Sequence, residues 1–201
     1  MIIRAWSFVV LVIVAAVLTV ACDGGNASPA SPAAPSVVQN RDAAATPATL
    51  AQIATHAVQH AVTLFDACDP ETFNAVVGPG TCSRSGGVRF ENFVAELTRH
   101  HSAGAWHFAP SKVTMRVGDQ LVANNRGGEE HTFTEVEEFG GGTVPFLNDL
   151  VGLTTVAPEC NAAIAIPPGG SSRETEDEAG VEKYQCCIHP WMRAEVRIKE
   201  K

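Results

Sequence analysis

The 201-residue sequence is short of several things, and each shortage excludes a class of protein. Aromatic residues make up 6 % of it and it carries a single tyrosine. A basic surplus is missing: the formal net charge is −8, which argues against a nucleic-acid binder. Long apolar runs are missing everywhere but the N-terminus, which excludes a polytopic membrane protein. Six cysteines are too few for a disulfide-dense miniprotein. Paired His-x-His segments, which a multicopper oxidase needs, do not occur. With 45 % hydrophobic and 18 % charged residues, what remains has the balance of a globular chain. Its 17 glycines lean towards a loop-rich β body.

The N-terminus reads as an export signal. Arg4 precedes an apolar core from Phe8 to Ala21 that is short for a bilayer span. Leu18-Thr19-Val20-Ala21-Cys22 resembles a bacterial lipobox, which implies lipidation of Cys22 after removal of residues 1–21. The alternatives are an ordinary cleaved signal or an uncleaved anchor. Residues 22–48 are rich in Ala, Pro and Ser and read as a flexible tether.

Residues 49–103 read as a helical extension. Leu50, Ile53, Ala57, Ala61 and Leu64 form one stripe, which predicts a helix over 49–67. Asp69-Pro70-Glu71 opens a second helix, with Asp as N-cap and Pro at the first position, and Gly78-Pro79-Gly80 ends it. A third runs from about Val88 to His100, on Phe90, Phe93, Val94 and Leu97. Cys68 and Cys82 flank the second helix, and in an oxidising compartment they are expected to pair; two free buried thiols are the alternative. His56 and His60 share a helical face, but without a third ligand nearby they read as a solvated polar face.

From about residue 104 to 201 the hydrophobic period becomes two. Val113, Met115 and Val117 alternate with polar residues, as do His131 to Val136 and Ala194 to Ile198, with Gly- and Pro-rich turns between. The fold class expected is mainly β: a Greek-key β-sandwich preceded by the helical extension.

The chemistry gathers in Cys186-Cys187-Ile188-His189-Pro190-Trp191-Met192, where a thiol, an imidazole and a thioether fall within seven residues. Soft sulfur ligands with imidazole suit copper, and two histidines, one cysteine and a weak axial methionine are the blue-copper set. His131, opening a strand after Gly127-Gly128, is the candidate for the second histidine. Zinc, the rival, prefers firm N/S ligands, and Met192 argues against it.

Cys186-x-x-His189-x-x-Met192 resembles the ligand loop of the cupredoxins in its short, amicyanin-like form. Phe108-Ala109-Pro110 through Val117-Gly118-Asp119 to Asn125 and His131 is similar to that family's first strands and first ligand. The resemblance covers 104–201. It implies one type 1 copper ion, held by His131, Cys186 and His189 with Met192 axial, and electron transfer rather than catalysis. It also implies an exit near His189, within an apolar patch that Pro190 and Trp191 would supply; core packing is the other reading of Trp191. Where many cupredoxins have an asparagine after the first histidine, this chain has Thr132, so the tie between the two ligand loops must be made otherwise. With Cys186 facing the metal, the neighbouring Cys187 points away and is left to pair with Cys160.

The function expected is that of an electron carrier between a redox donor and acceptor at the cell envelope, tethered to the membrane by its lipid, with no nucleic-acid partner. The alternative is a copper-binding protein for storage, delivery or sensing. The acidic runs around His131 and at Glu174 to Glu178 read as solvated faces or as steering for a basic partner.

Overall fold

The structure is a computed structural model that describes residues 57–201. The signal, the tether, Cys22 and His56 lie outside the described residues. Among the described residues no helix is long and apolar enough to cross a membrane.

The first element corrects the sequence reading. Gln59–Phe65 is a strand, β1, where the apolar stripe predicted a helix. Ala57, Ala61 and Leu64 fit a helical period, but Val62 and Leu64 fit a period of two just as well. The structure buries Val62 and Leu64 and leaves Ala61 exposed. Short apolar windows carry this ambiguity, and strand pairing decides it. The sandwich therefore starts at β1, well before residue 104.

Helix α1 spans Pro70–Val76, and Asp69 caps it by accepting from the Thr72 amide at 3.0 Å. Helix α2 spans Phe90–His100 and stops at His101, in the left-handed region at φ 55°. An isolated helix of this length is marginal in water. Phe93 and Leu97 are buried, however, and side chains of that size each contribute about 1.5–3 kcal/mol on burial. Both helices belong to the same hydrophobic core as the sheets. Phe73 and Phe93 pack on Trp106, at ring centroids 5.8 and 4.5 Å apart, and Phe93 also meets Trp191 at 5.9 Å.

The strands follow in the expected rhythm. They are β2 (His107–Ala109), β3 (Lys112–Arg116), β4 (Gln120–Asn125), β5 (His131–Thr132) and β6 (Thr134–Val136). After helix α3 (Pro145–Val151) and a 3-10 turn come β7 (Ala165–Ile166), β8 (Ser171–Thr175), β9 (Gly180–Gln185) and β10 (Arg193–Lys199). One sheet has the order β2-β1-β4-β8 and the other β3-β10-β9-β6, with β5 and β7 forming a short ribbon. The fold is the mainly β sandwich expected. β1 lies between β2 and β4, antiparallel to the first and parallel to the second. In β3 Val113 and Met115 are buried between exposed neighbours, and in β10 Ala194, Val196 and Ile198 likewise. His131 to Val136, read as one strand, is two: β5 turns aside to pair with β7, while β6 joins β9.

Both expected disulfides form. Cys68–Cys82 ties the start of α1 to the loop that follows it. Cys160–Cys187 fastens the long loop before β7 to the end of β9.

The second sheet interface holds an acidic knot. The buried Tyr184 hydroxyl lies 3.2 Å from Glu174, 3.2 Å from Glu176 and 3.0 Å from Glu182. A hydroxyl has one proton to give, so these carboxylates crowd one another. Burial first, then Glu182 and Glu174, push the Glu176 carboxyl up to about 8 from its usual 4.5. The folded chain therefore keeps a proton that the unfolded chain has already lost, and stability must fall as the pH rises through that interval. Urea unfolding of Glu176→Gln is expected to show a flatter dependence between about pH 4.5 and 8 than the parent. Equal slopes for the two proteins would reject the shared-proton account.

Candidate metal centre

The loop between β4 and β5 is built around Asn125. Its side chain donates to the Glu129 and Ile166 carbonyls, both at 2.8 Å, and accepts from the Gly127 amide at 2.9 Å. This curls the chain so that His131 enters the interior as β5 begins. Gly127 and Gly128 allow a close approach that no larger residue would. A Cβ on Gly127 would collide with the Asp66 carboxylate, and one on Gly128 would stand 2.7 Å from Cys68 Sγ.

From the other side, β9 delivers Cys186, and the chain then folds into a tight loop. The Met192 amide donates to the His189 carbonyl at 2.9 Å, and the Cys186 amide donates to the Met192 carbonyl at 3.0 Å. This turns the His189 ring back towards the sulfur. Met192 is buried at the end of the same loop.

The two stretches meet in one place. Cys186 Sγ lies 3.8 Å from His131 Nδ1 and 3.7 Å from His189 Nδ1. Cys186 and His131 are 0 % exposed and His189 is 3 % exposed. Among the described residues Cys186 is the one cysteine outside a disulfide. The Thr132 and His189 amides both donate to its sulfur, each at 3.4 Å.

Asp66 and Glu129 complete the site, and neither was identified from sequence. Asp66 Oδ2 accepts from His131 Nε2 at 2.9 Å, with both side chains buried. Glu129 Oε2 stands 3.7 Å from His189 Nε2 and accepts from Trp106 Nε1 at 2.6 Å. Asp66 lies upstream of the segment that carries the motifs, so no spacing rule points to it. The one signal was Gly127-Gly128, which marks a close approach without saying what approaches.

The electrostatics favour a thiolate among donors. Burial opposes the Cys186 thiolate, but hydrogen bonds and charge from His131 and His189 outweigh it and hold the thiol well below its usual range. Burial also opposes the His131 imidazolium; Asp66 and Cys186 overcome it and raise the group to about 9. Burial would raise Asp66, yet the His131 side chain and the Glu129 and Gly128 amides bring it down to about 2.

These residues fit a metal ion. Bonds of about 2.0 Å to nitrogen and 2.3 Å to sulfur at trigonal angles would set nitrogen and sulfur about 3.7–3.8 Å apart. The observed separations are 3.7 and 3.8 Å. Two imidazoles and one thiolate are the strong-ligand set of a blue-copper site.

Two sequence expectations change here. Pro190 and His189 are buried, while Trp191 is half-buried against Phe93 and the His189 ring, so the patch that Pro190 and Trp191 were expected to expose together does not form as expected. His60 does not stand on a solvated helical face but pairs from β1 with Asp119 at 3.1 Å.

No known family description matches the chain, and no curated protein does. Among solved structures, a Cu(I) mutant form of amicyanin is similar at 21 % identity and TM-score 0.33, over 48 % of this chain and 76 % of that one. A purple cupredoxin from Nitrosopumilus maritimus is similar at 19 % identity and TM-score 0.36, over 48 % and 86 %. A reduced Cu(I) mutant of amicyanin at pH 4 gives 22 % and 0.33, over 49 % and 77 %.

Thr132 makes the tie between the ligand loops that its identity had left open. Its hydroxyl oxygen accepts the Cys187 amide at 2.8 Å. Thr132→Val keeps the shape and strands that buried N–H, at a cost of about 1–3 kcal/mol. Chemical denaturation of the metal-free protein is expected to show a loss of that size, and an unchanged midpoint would show that the tie does not hold the loops.

Proposed function

We propose that this chain is a copper protein that carries single electrons between redox partners. The observation that carries the reading is the convergence of one buried thiol and two imidazole nitrogens at 3.7–3.8 Å from separated parts of the chain. His131, Cys186 and His189 would hold the ion, with Met192 as the weak fourth ligand from the same loop. A copper ion bound there supplies a reversible one-electron couple between its two oxidation states.

The chain's own residues set the conditions. The Thr132 and His189 amides fix the sulfur in place and stabilise it as a thiolate. The outer imidazole nitrogens face Asp66 and Glu129, which orients Nδ1 of each ring towards the sulfur. The Cys160–Cys187 bridge and the Thr132 hydroxyl pin the residue next to the thiol. Such a rigid, buried frame would change little with oxidation state, which keeps reorganisation small. The burial of all three donors disfavours storage or delivery, which needs ligands that can open.

His189 and Ile188 border a cleft of about 540 Å³, with Pro167 and Pro168 opposite and Glu130 at its rim. This is the place where a partner would come nearest the ligand loop, and its acidic rim favours a basic one. Two disulfides suit an oxidising compartment. With the export signal and the Cys22 lipobox, they support a location at the cell envelope on a lipid anchor.

Adding Cu(II) to the metal-free protein is expected to give an intense sulfur-to-copper charge-transfer band that saturates at one ion per chain. Cys186→Ser should abolish it. Rapid, reversible voltammetry and retention of copper against an apo-acceptor would support the carrier. Absence of the band would overturn the copper reading, and ready transfer of the ion would favour delivery.

A further inference from the structure

We propose that Asp66 is a positioning residue for this centre: its buried carboxylate fixes the His131 ring and, with Glu129 as a weaker counterpart, biases the site towards its oxidised state. The inference rests on the copper reading above and adds to it residues from outside the ligand motifs.

Asp66 follows β1, in the part of the chain that the sequence motifs do not reach. Its side chain is 1 % exposed and its partner His131 0 %. Both oxygens are fully used. Oδ2 accepts from His131 Nε2 at 2.9 Å and from the Glu129 amide at 3.0 Å. Oδ1 accepts from the Gly128 amide at 2.9 Å and the Cys68 amide at 3.2 Å. The carboxylate cannot swing away, and neither can the ring attached to it. Cys68, held to Cys82, makes the far side of this clasp rigid.

Orientation alone does not account for a charge in this position. A backbone carbonyl could accept from Nε2 at far smaller desolvation cost than a buried carboxylate. The charge matters if its surroundings change charge. With a thiolate and two neutral imidazoles, the site would be singly positive around Cu(II) and neutral around Cu(I). A fixed negative group beside it stabilises the first more than the second. Glu129 acts in the same direction on the other imidazole, from 3.7 Å, but more weakly, because burial pushes its carboxyl up and Trp106 takes a share of its charge.

The test uses the full chain with Asp66→Asn and Glu129→Gln. In Asp66→Asn the charge-transfer band should persist while the oxidised-to-reduced ratio at fixed ambient potential falls at least tenfold, a rise of about 59 mV for one electron. Glu129→Gln should move it the same way by less. Nitrogen-15 NMR of the metal-free parent should show a slowly exchanging His131 Nε2–H, and Asp66→Ala should make it exchange fast. A potential unmoved in Asp66→Asn with the band intact overturns the charge role. If Asp66→Asn does not fold, an unmoved potential in Asp66→Ser with the band intact does the same. A rapidly exchanging Nε2–H in the parent overturns the positioning role. A parent that gives no band with Cu(II) overturns the copper reading and the charge role together, while the NMR result still decides whether Asp66 holds His131.

Discussion

A carboxylate can stay ionised inside a protein only if donors take up its lone pairs, and the Asp66 site is arranged around that requirement. The loop must come close enough for the Gly128 and Glu129 amides to reach the carboxylate, which is why neither Gly127 nor Gly128 has room for a side chain. Asn125 must curl the loop that presents them. Cys68 must stand on the other side, which the bridge to Cys82 secures. Once these are in place, His131 has one orientation, and its Nδ1 faces Cys186, the residue after β9. The geometry of the candidate metal centre follows from satisfying one buried charge.

The same constraint explains why the segment before residue 104 is no separate appendage. β1 is an inner strand of one sheet, and Asp66 is the first residue after it. The helices α1 and α2 send Phe73 and Phe93 into the core shared with the sandwich, and these rings meet Trp106, whose indole N–H serves Glu129. Tertiary packing of this kind couples the covering helices to the second imidazole through one tryptophan.

The sequence was legible where chemistry and period coincide locally. Cys186, His189 and Met192 sit on one loop with spacing set by a tight turn, and β3 and β10 alternate cleanly because one face meets the core. The caps of α1 were equally local. Pairing of Cys160 with Cys187 was legible because neighbouring strand residues face opposite ways, so that one of two adjacent cysteines had to turn from the site. What failed was whatever depends on distant partners. β1 was read as a helix because its apolar residues satisfy two periods at once, and the neighbours that choose between them are dozens of residues away. Asp66 and Glu129 look like ordinary charges, and what distinguishes them is burial, which no local pattern encodes.

Burial of the ligand loop also restricts how the site can communicate. The His189 ring is covered by Trp191 on one side and faces Glu129 on the other. Pro190 is buried too, and a cleft that Pro167 and Pro168 also line borders the loop at His189 and Ile188. Those prolines follow β7, and β7 pairs with β5, the strand that starts at His131. The cleft is thus lined by the segment after β7, by Glu129 and Glu130 ahead of His131, by Ile188 and His189, and by Gly80 and Thr81. The arrangement leaves the three candidate donors buried behind the two loops that carry them.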